Sequence, residues 1–184
     1  MMKEYGILFT DPMVCAIRQR RKTVTRRVSG AWAKRLPGDR LWVREAWNVG
    51  GWRRDGDRCW FEPLPTIRRP AAGEKVIYRA AGSPAEADVP TYRPSIHMPR
   101  WASRLLLEIV AIDAEPFVEV DTVARGPEWV EIEGPILPRV TDEEARREGV
   151  HDRAAYLGLW REINGDARPD FVWRVEFRVV GGAL

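Results

Sequence analysis

Cysteine is scarce in this 184-residue chain, where Cys15 and Cys59 are the only two. Two thiols without a CxxC spacing are too few for a structural zinc site. Both read as reduced thiols of a cytosolic protein, buried as small hydrophobes. Histidine is equally scarce, with only His97 and His151, so a two-histidine ribonuclease mechanism would need these two to meet in space. No apolar run approaches the length of a transmembrane helix, and the N-terminus carries no hydrophobic signal region. The expectation is a cytoplasmic protein with no membrane partner. There is also no repeat of fixed period and no low-complexity tail, which sets aside solenoids and biased segments.

What is present describes a globular chain. Hydrophobic residues make up 45% and charged residues 31%, which excludes disorder. The length suits one domain, or one domain with a large insertion, and suffices for a core without disulfides or metals. A net charge of +3 and a pI of about 9.1 permit an anionic partner without requiring one. The distribution says more than the total. Six of the ten residues from Arg18 to Arg27 are basic and none is acidic, whereas acids collect between 113 and 148. Lys22 lies in this basic run beside Thr23 and Thr25. Two readings stay open there: a solvated basic face that meets phosphate, or an amine activating a neighbouring hydroxyl nucleophile.

Tyr5–Phe9 reads as a buried strand. Asp11 and Pro12 read as N-cap and N1 of a helix whose apolar side is Met13, Ala16 and Ile17. Lys22 to Val28 reads as a strand. Alternation would point Lys22 and Thr25 to opposite faces, so they converge only if Lys22 still lies in the preceding turn. Residues 40–47 read as a strand with Leu41, Val43, Glu45 and Trp47 on one face, making Glu45 either a paired edge carboxylate or a pocket group. Residues 48–95 read as an insertion whose credible strands are 58–61 and 75–79, with a mobile loop at 82–90. In Arg93–Trp101, Pro94 and Pro99 flank Ser95, His97 and Met98 and fix an irregular path; His97 is either a structural hydrogen-bonder or, beside Ser95 and Arg100, lines a pocket for a planar ligand. Residues 104–112 read as a central strand, 113–140 as connection, and Thr141–Glu144 as a capping box opening a short helix that ends near Gly149. A second helix spans 154–163, with Leu157, Trp160 and Ile163 on its buried side. The final strand, 171–179, alternates with Phe171, Trp173, Val175, Phe177 and Val179 inward. This order of elements suggests an α+β fold: a small mixed barrel with flanking helices and an insertion.

Three segments carry a family resemblance: Arg21-Lys22-Thr23-Val24-Thr25-Arg26-Arg27, Pro37-Gly38-Asp39-Arg40-Leu41-Trp42-Val43-Arg44-Glu45, and Arg93 through Arg104. Through these the chain resembles ASCH-domain proteins of the larger, phage-associated type, along nearly its whole length. The resemblance implies a PUA-like β-barrel, a fold associated with RNA and modified nucleosides. It also implies an amidohydrolase that removes the acyl group from N4-acetylcytidine with a lysine, a threonine and a glutamate. Lys22 and Thr25 match the first two. Glu148 best matches the third, with Glu45 as its rival. Other ASCH proteins are ribonucleases or bind RNA, and fold alone does not choose among these.

The expected reaction begins when neutral Lys22 takes the proton of Thr25. Lowering a lysine from about 10.4 to about 7.5 costs roughly 4 kcal/mol, which desolvation and the field of Arg21, Arg26 and Arg27 would supply. Thr25 then attacks the acyl carbonyl, and Glu148 or Glu45 protonates the leaving nitrogen. An arginine or a backbone N–H is expected to hold the oxyanion, Arg26 is an expected substrate contact, and a tryptophan, Trp47 first among them, is the expected platform for the base. No step calls for a metal or a cofactor. The expected partners are a modified nucleoside as substrate and, in the alternative, RNA.

Overall fold

A computed structural model describes residues 2–81, 92–116, 122–125, 128–131, 141–149, 151, 153–164 and 171–182. The loop expected at 82–90 and the side chain of Leu157 lie outside the described residues. The fold is mixed α+β. Its strands are β1 (Glu4–Leu8), β2 (Val24–Arg27), β3 (Arg40–Arg44), β4 (Trp47–Asp55), β5 (Arg58–Pro63), β6 (Glu74–Tyr78), β7 (Leu105–Pro116), β8 (Thr122–Arg125), β9 (Glu128–Glu131) and β10 (Phe171–Gly182). The α-helices are α1 (Asp11–Arg18), α2 (Asp142–Arg147) and α3 (Arg153–Asn164). Five strands hydrogen-bond in the order β1-β3-β7-β10-β2, three as β5-β4-β6, and β8 pairs with β9. Among the described residues no helix is long and apolar enough to cross a membrane.

The chain divides into two compact units, one of residues 1–19, 40–108 and 179–184, the other of residues 20–39 and 109–178. In the first, β1 runs parallel to β3, with Tyr5 opposite Leu41 and Ile7 opposite Val43. α1 begins one residue earlier than expected. Thr10 is its N-cap, without a side-chain cap bond, and Val14, Ala16 and Ile17 are its buried residues. The strand expected over 40–47 stops at Arg44, and Trp47 opens β4 in the three-stranded sheet. The pattern of alternation therefore breaks at Glu45-Ala46.

β4 itself was hidden by its paired glycines, which weaken any strand signal. The ladder explains them. A Cβ on Gly50 would lie 2.0 Å from the backbone oxygen of Glu62 on β5, so only glycine permits this approach. Trp47 and Val49 then pack with Met98 and Ala102, supported by Leu64, Val76, Tyr78 and Trp101.

In the second unit β2 pairs antiparallel with β10, with Thr25 opposite Val175 and Arg26 opposite Arg174. The inward row of β10 differs from the alternation expected. Phe171 is exposed, while Val172, Val175 and Phe177 are buried; Arg174 and Glu176, read as outward, are half-buried and ion-paired. Both faces of this strand are thus covered near its middle, which a period-2 pattern cannot announce. In α3 Trp160 is buried and Ile163 exposed. Residues expected as connection supply the β8–β9 hairpin.

Candidate active site

The second unit contains a buried charged cluster built from three separated segments. Lys22 lies just before β2, outside the strand, and is only 2% exposed. α2 is held at its start by a complete capping box, Thr141 with Glu144. At its other end Glu148 is the C-cap and Gly149 takes the left-handed conformation, φ 86°, the usual way to end a helix. The carbonyls left open there need donors. The segment before β2 provides them: Thr23 N–H donates to Arg147 O at 2.8 Å and Lys22 Nζ donates to Glu148 O at 2.5 Å. The same amine donates to Val24 O at 2.7 Å and to the Glu148 carboxylate at 2.8 Å. Residues 126 positions apart in the sequence are thereby joined by both backbone and side chain.

Glu148, 4% exposed, is shared. One oxygen accepts from Lys22 and the other from Arg26 at 3.1 Å. Arg26 also donates through Nε to Glu115 at 2.8 Å and through its outer nitrogen to Glu144 at 3.4 Å. Burial pushes the Lys22 ammonium below the usual lysine range. Glu148 opposes that push, and Arg27 and Arg26 add to it. Capping-box and arginine contacts hold the Glu144 carboxyl below its ordinary value, against desolvation.

Thr25 is buried as well. The peptide whose carbonyl accepts from Lys22 joins Val24 to Thr25, so the amine lies within about 6 Å of Thr25 Cα by standard peptide dimensions. Alternation along β2 turns Thr25 to the face of Arg27 and Val175, away from Arg26. Among the described residues the Thr25 hydroxyl makes no hydrogen bond. The structure therefore joins Lys22, Arg26 and Glu148 directly and brings Thr25 beside them through the backbone.

The remaining candidates belong to the first unit. Glu45 is buried and held by both nitrogens of an Arg104 fork, at 2.8 and 2.7 Å. Arg104 in turn lies 4.1 Å over the Tyr78 ring, whose hydroxyl donates to Ala102 O; burial pushes that phenol up to about 12. Glu45 is thus a paired carboxylate, the first of the two readings open for it. Trp47 is fully buried and meets Trp101 edge-on at 5.8 Å. It is a core residue there and offers no ring face to a base from solvent, contrary to its expected role as a platform. Ser95 and His97 form a short 3-10 turn, with His97 exposed. Arg100 is exposed and paired with Glu4 at 2.8 Å. Cys59 is exposed and Cys15 half-buried, where burial was expected for both; Cys15 donates to Ala80 O.

Sequence reasoning passed over Glu115 and Glu144 as site residues. Glu144 was visible only as a cap, and nothing local in Asp113-Ala114-Glu115 marks its last residue as a partner of Arg26. Comparison with protein-family models, with curated proteins and with solved structures finds no match for this chain. What points to function is therefore the arrangement of this cluster together with the three sequence segments that carry the family resemblance.

Proposed function

We propose that the chain is an ASCH-type amidohydrolase of PUA-like fold that removes the acyl group from N4-acylated cytidine-type nucleosides. The observation that carries this reading is the buried Lys22 amine, whose ammonium desolvation makes readier to give up its proton, hydrogen-bonded to a buried carboxylate beside a buried threonine. An amine held this way is unusual for a purely structural lysine, which normally keeps its charge in water.

In the proposed cycle the neutral amine of Lys22 accepts the Thr25 hydroxyl proton as Oγ1 bonds to the acyl carbon. The tetrahedral intermediate collapses by breaking the bond from that carbon to N4, and the nitrogen leaves with a proton. The Lys22–Glu148 hydrogen bond is the route by which the ammonium's proton reaches Glu148 and then the leaving group. Water then attacks the threonine ester with Glu148 taking its proton; the bond from the acyl carbon to Oγ1 breaks, Glu148 returns that proton to Thr25 Oγ1, and the carboxylic acid is released. Arg26 is already committed to three carboxylates, so its place in this reading is to hold Glu148, with oxyanion donors supplied elsewhere.

The test is release of acetate from N4-acetylcytidine by purified protein. Lys22→Met and Thr25→Val should each lower kcat/KM by at least about a thousandfold while the fold persists, and full activity in either folded variant refutes the mechanism. Two observations favour a second reading, a non-catalytic RNA- or nucleotide-binding module: among the described residues the amine has at least three acceptors, enough for an ammonium, and the Thr25 hydroxyl is not bonded to it. Under that reading Lys22–Glu148 is a structural ion pair, the exposed Arg20 and Arg21 meet phosphates, and RNA affinity falls steeply with salt.

A further inference from the structure

Arg26 and Arg174 stand directly opposite each other across β2 and β10. Two cations at such a position have Cβ atoms about 5 Å apart and repel. Glu115, on β7, answers both. It accepts from Arg26 Nε at 2.8 Å and from Arg26 NH2 at 3.4 Å, and pairs with Arg174 Nε at 3.4 Å. The pairing continues from Arg174 to Glu176 at 3.4 Å and from Glu176 to Arg147 at 2.6 Å. The result is an unbroken chain of ion pairs from half-exposed Arg147, at the end of α2, around to buried Lys22. Its cations are Lys22, Arg26, Arg147 and Arg174. Its anions are Glu115, Glu144, Glu148 and Glu176, so the charges balance.

Within that chain the geometry gives Arg26 a specific task. Its Nε edge is taken by Glu115, which leaves NH1 aimed at the Glu148 oxygen that Lys22 does not use. We propose that Glu115 is a positioning residue of this site: by holding Arg26 against Glu148 it fixes how the Glu148 carboxylate is divided between Arg26 and Lys22, and thereby sets the proton affinity of the Lys22 amine. The inference rests on the amidohydrolase reading only for its effect on rate; the electrostatic lever stands apart from it. The charged groups joined to Lys22 through these ion pairs or its electrostatics are Arg26 and Arg27 on β2, Glu144, Arg147 and Glu148 at α2, Glu115 on β7, and Arg174 and Glu176 on β10; the same elements also carry Asp142, Glu143 and Arg146 on α2, Glu108 and Asp113 on β7, and Arg178 on β10. Only Arg26 and Lys22 contact the Glu148 carboxylate among the ion pairs of the described residues.

The lever predicts shifts of opposite sign. Arg26→Gln returns both Glu148 oxygens to Lys22 and removes a neighbouring positive charge, so the amine holds its proton more tightly. Glu115→Gln keeps an acceptor for Nε but removes a negative charge. Arg26 then acts on Glu148 and Lys22 less compensated, and the amine holds its proton less tightly.

The chain has only four lysines, Lys3, Lys22, Lys34 and Lys75, so carbon-13 NMR of labelled lysine Cε resolves each titration. The Lys22 signal is the one lost in Lys22→Met. We expect its midpoint to rise by about one pH unit or more in Arg26→Gln and to fall by about half a unit in Glu115→Gln. No movement in either, or movement in the same direction, overturns the proposal and leaves Glu115 as relief for the Arg26–Arg174 repulsion alone. If Arg26→Gln does not fold, Glu115→Gln and Glu115→Ala decide it. The first must lower the midpoint, and the second, which frees Arg26 from its anchor, must differ from the first. A catalytically inert protein would still show these shifts, and an active one without them would keep the amidohydrolase reading while losing the lever.

Discussion

Replacing Glu148 by Gln isolates the interaction on which the site depends. The substitution keeps the shape and removes one buried negative charge shared by two cations. Arg26 retains Glu115 and Glu144, so the loss falls mainly on Lys22. The amine keeps the carbonyls of Val24 and of residue 148 as acceptors, which match the two N–H groups of a neutral amine. Lys22 therefore escapes by giving up its proton. Breaking a buried pair by removing one partner costs about 3–5 kcal/mol, and deprotonation limits that cost as pH rises.

The sign follows from linkage. The folded wild type binds the Lys22 proton less tightly than the unfolded chain, because burial depresses its pKa. Between the folded value and about 10.4 in the unfolded chain, the unfolded state carries more protons and stability rises with pH. In the variant the folded pKa falls further, so this window opens at lower pH. The gap between wild type and variant is widest in acid and narrows by up to about 1.4 kcal/mol per pH unit until pH passes the wild-type Lys22 value. Urea unfolding followed by tryptophan fluorescence at about pH 6 and about pH 9 should show a deficit of roughly 3 kcal/mol at the lower pH and a clearly smaller one at the higher. A deficit equal at both would mean that Lys22 and Glu148 do not act on each other as charges, and the reasoning would fail.

Three further outcomes are expected. kcat/KM for deacylation should climb with pH as Lys22 loses its proton, with a midpoint below the ordinary lysine value of about 10.4; a flat profile through neutral pH would separate the amine from the chemistry. Arg20 follows the C-cap of α1 with φ 58°, a conformation costly for a side chain, so Arg20→Gly should raise stability by about 0.5–1 kcal/mol, read as an increased urea midpoint with unchanged slope. Gly50→Ala should cost about 3 kcal/mol or more, since the new methyl meets Glu62 backbone at 2.0 Å; a variant as stable as wild type would show that β4 and β5 part there at no cost.

Local chemistry is what the sequence alone could determine. The capping box at Thr141 and Glu144 and the turn at Gly149 are governed by residues a few positions apart, and each is found where those residues place it, whereas the strand read from Lys22 begins only at Val24. The charges that surround Lys22 were legible only on one side. Arg26 and Arg27 lie in its own segment, whereas Glu115 arrives from β7 and Glu148 from the end of α2, at separations of 89 and 126 positions from their partners. The same limit hid β4, because a Gly-Gly pair looks like a broken strand until the neighbouring backbone of Glu62 is seen pressing against it. Trp47 and Glu45 illustrate it in reverse: both look available in the sequence, yet packing commits one to a core with Trp101 and the other to the Arg104 fork. Side-chain character and turns are short-range properties of the chain, but burial and the pairing of charges belong to segments that only folding brings together.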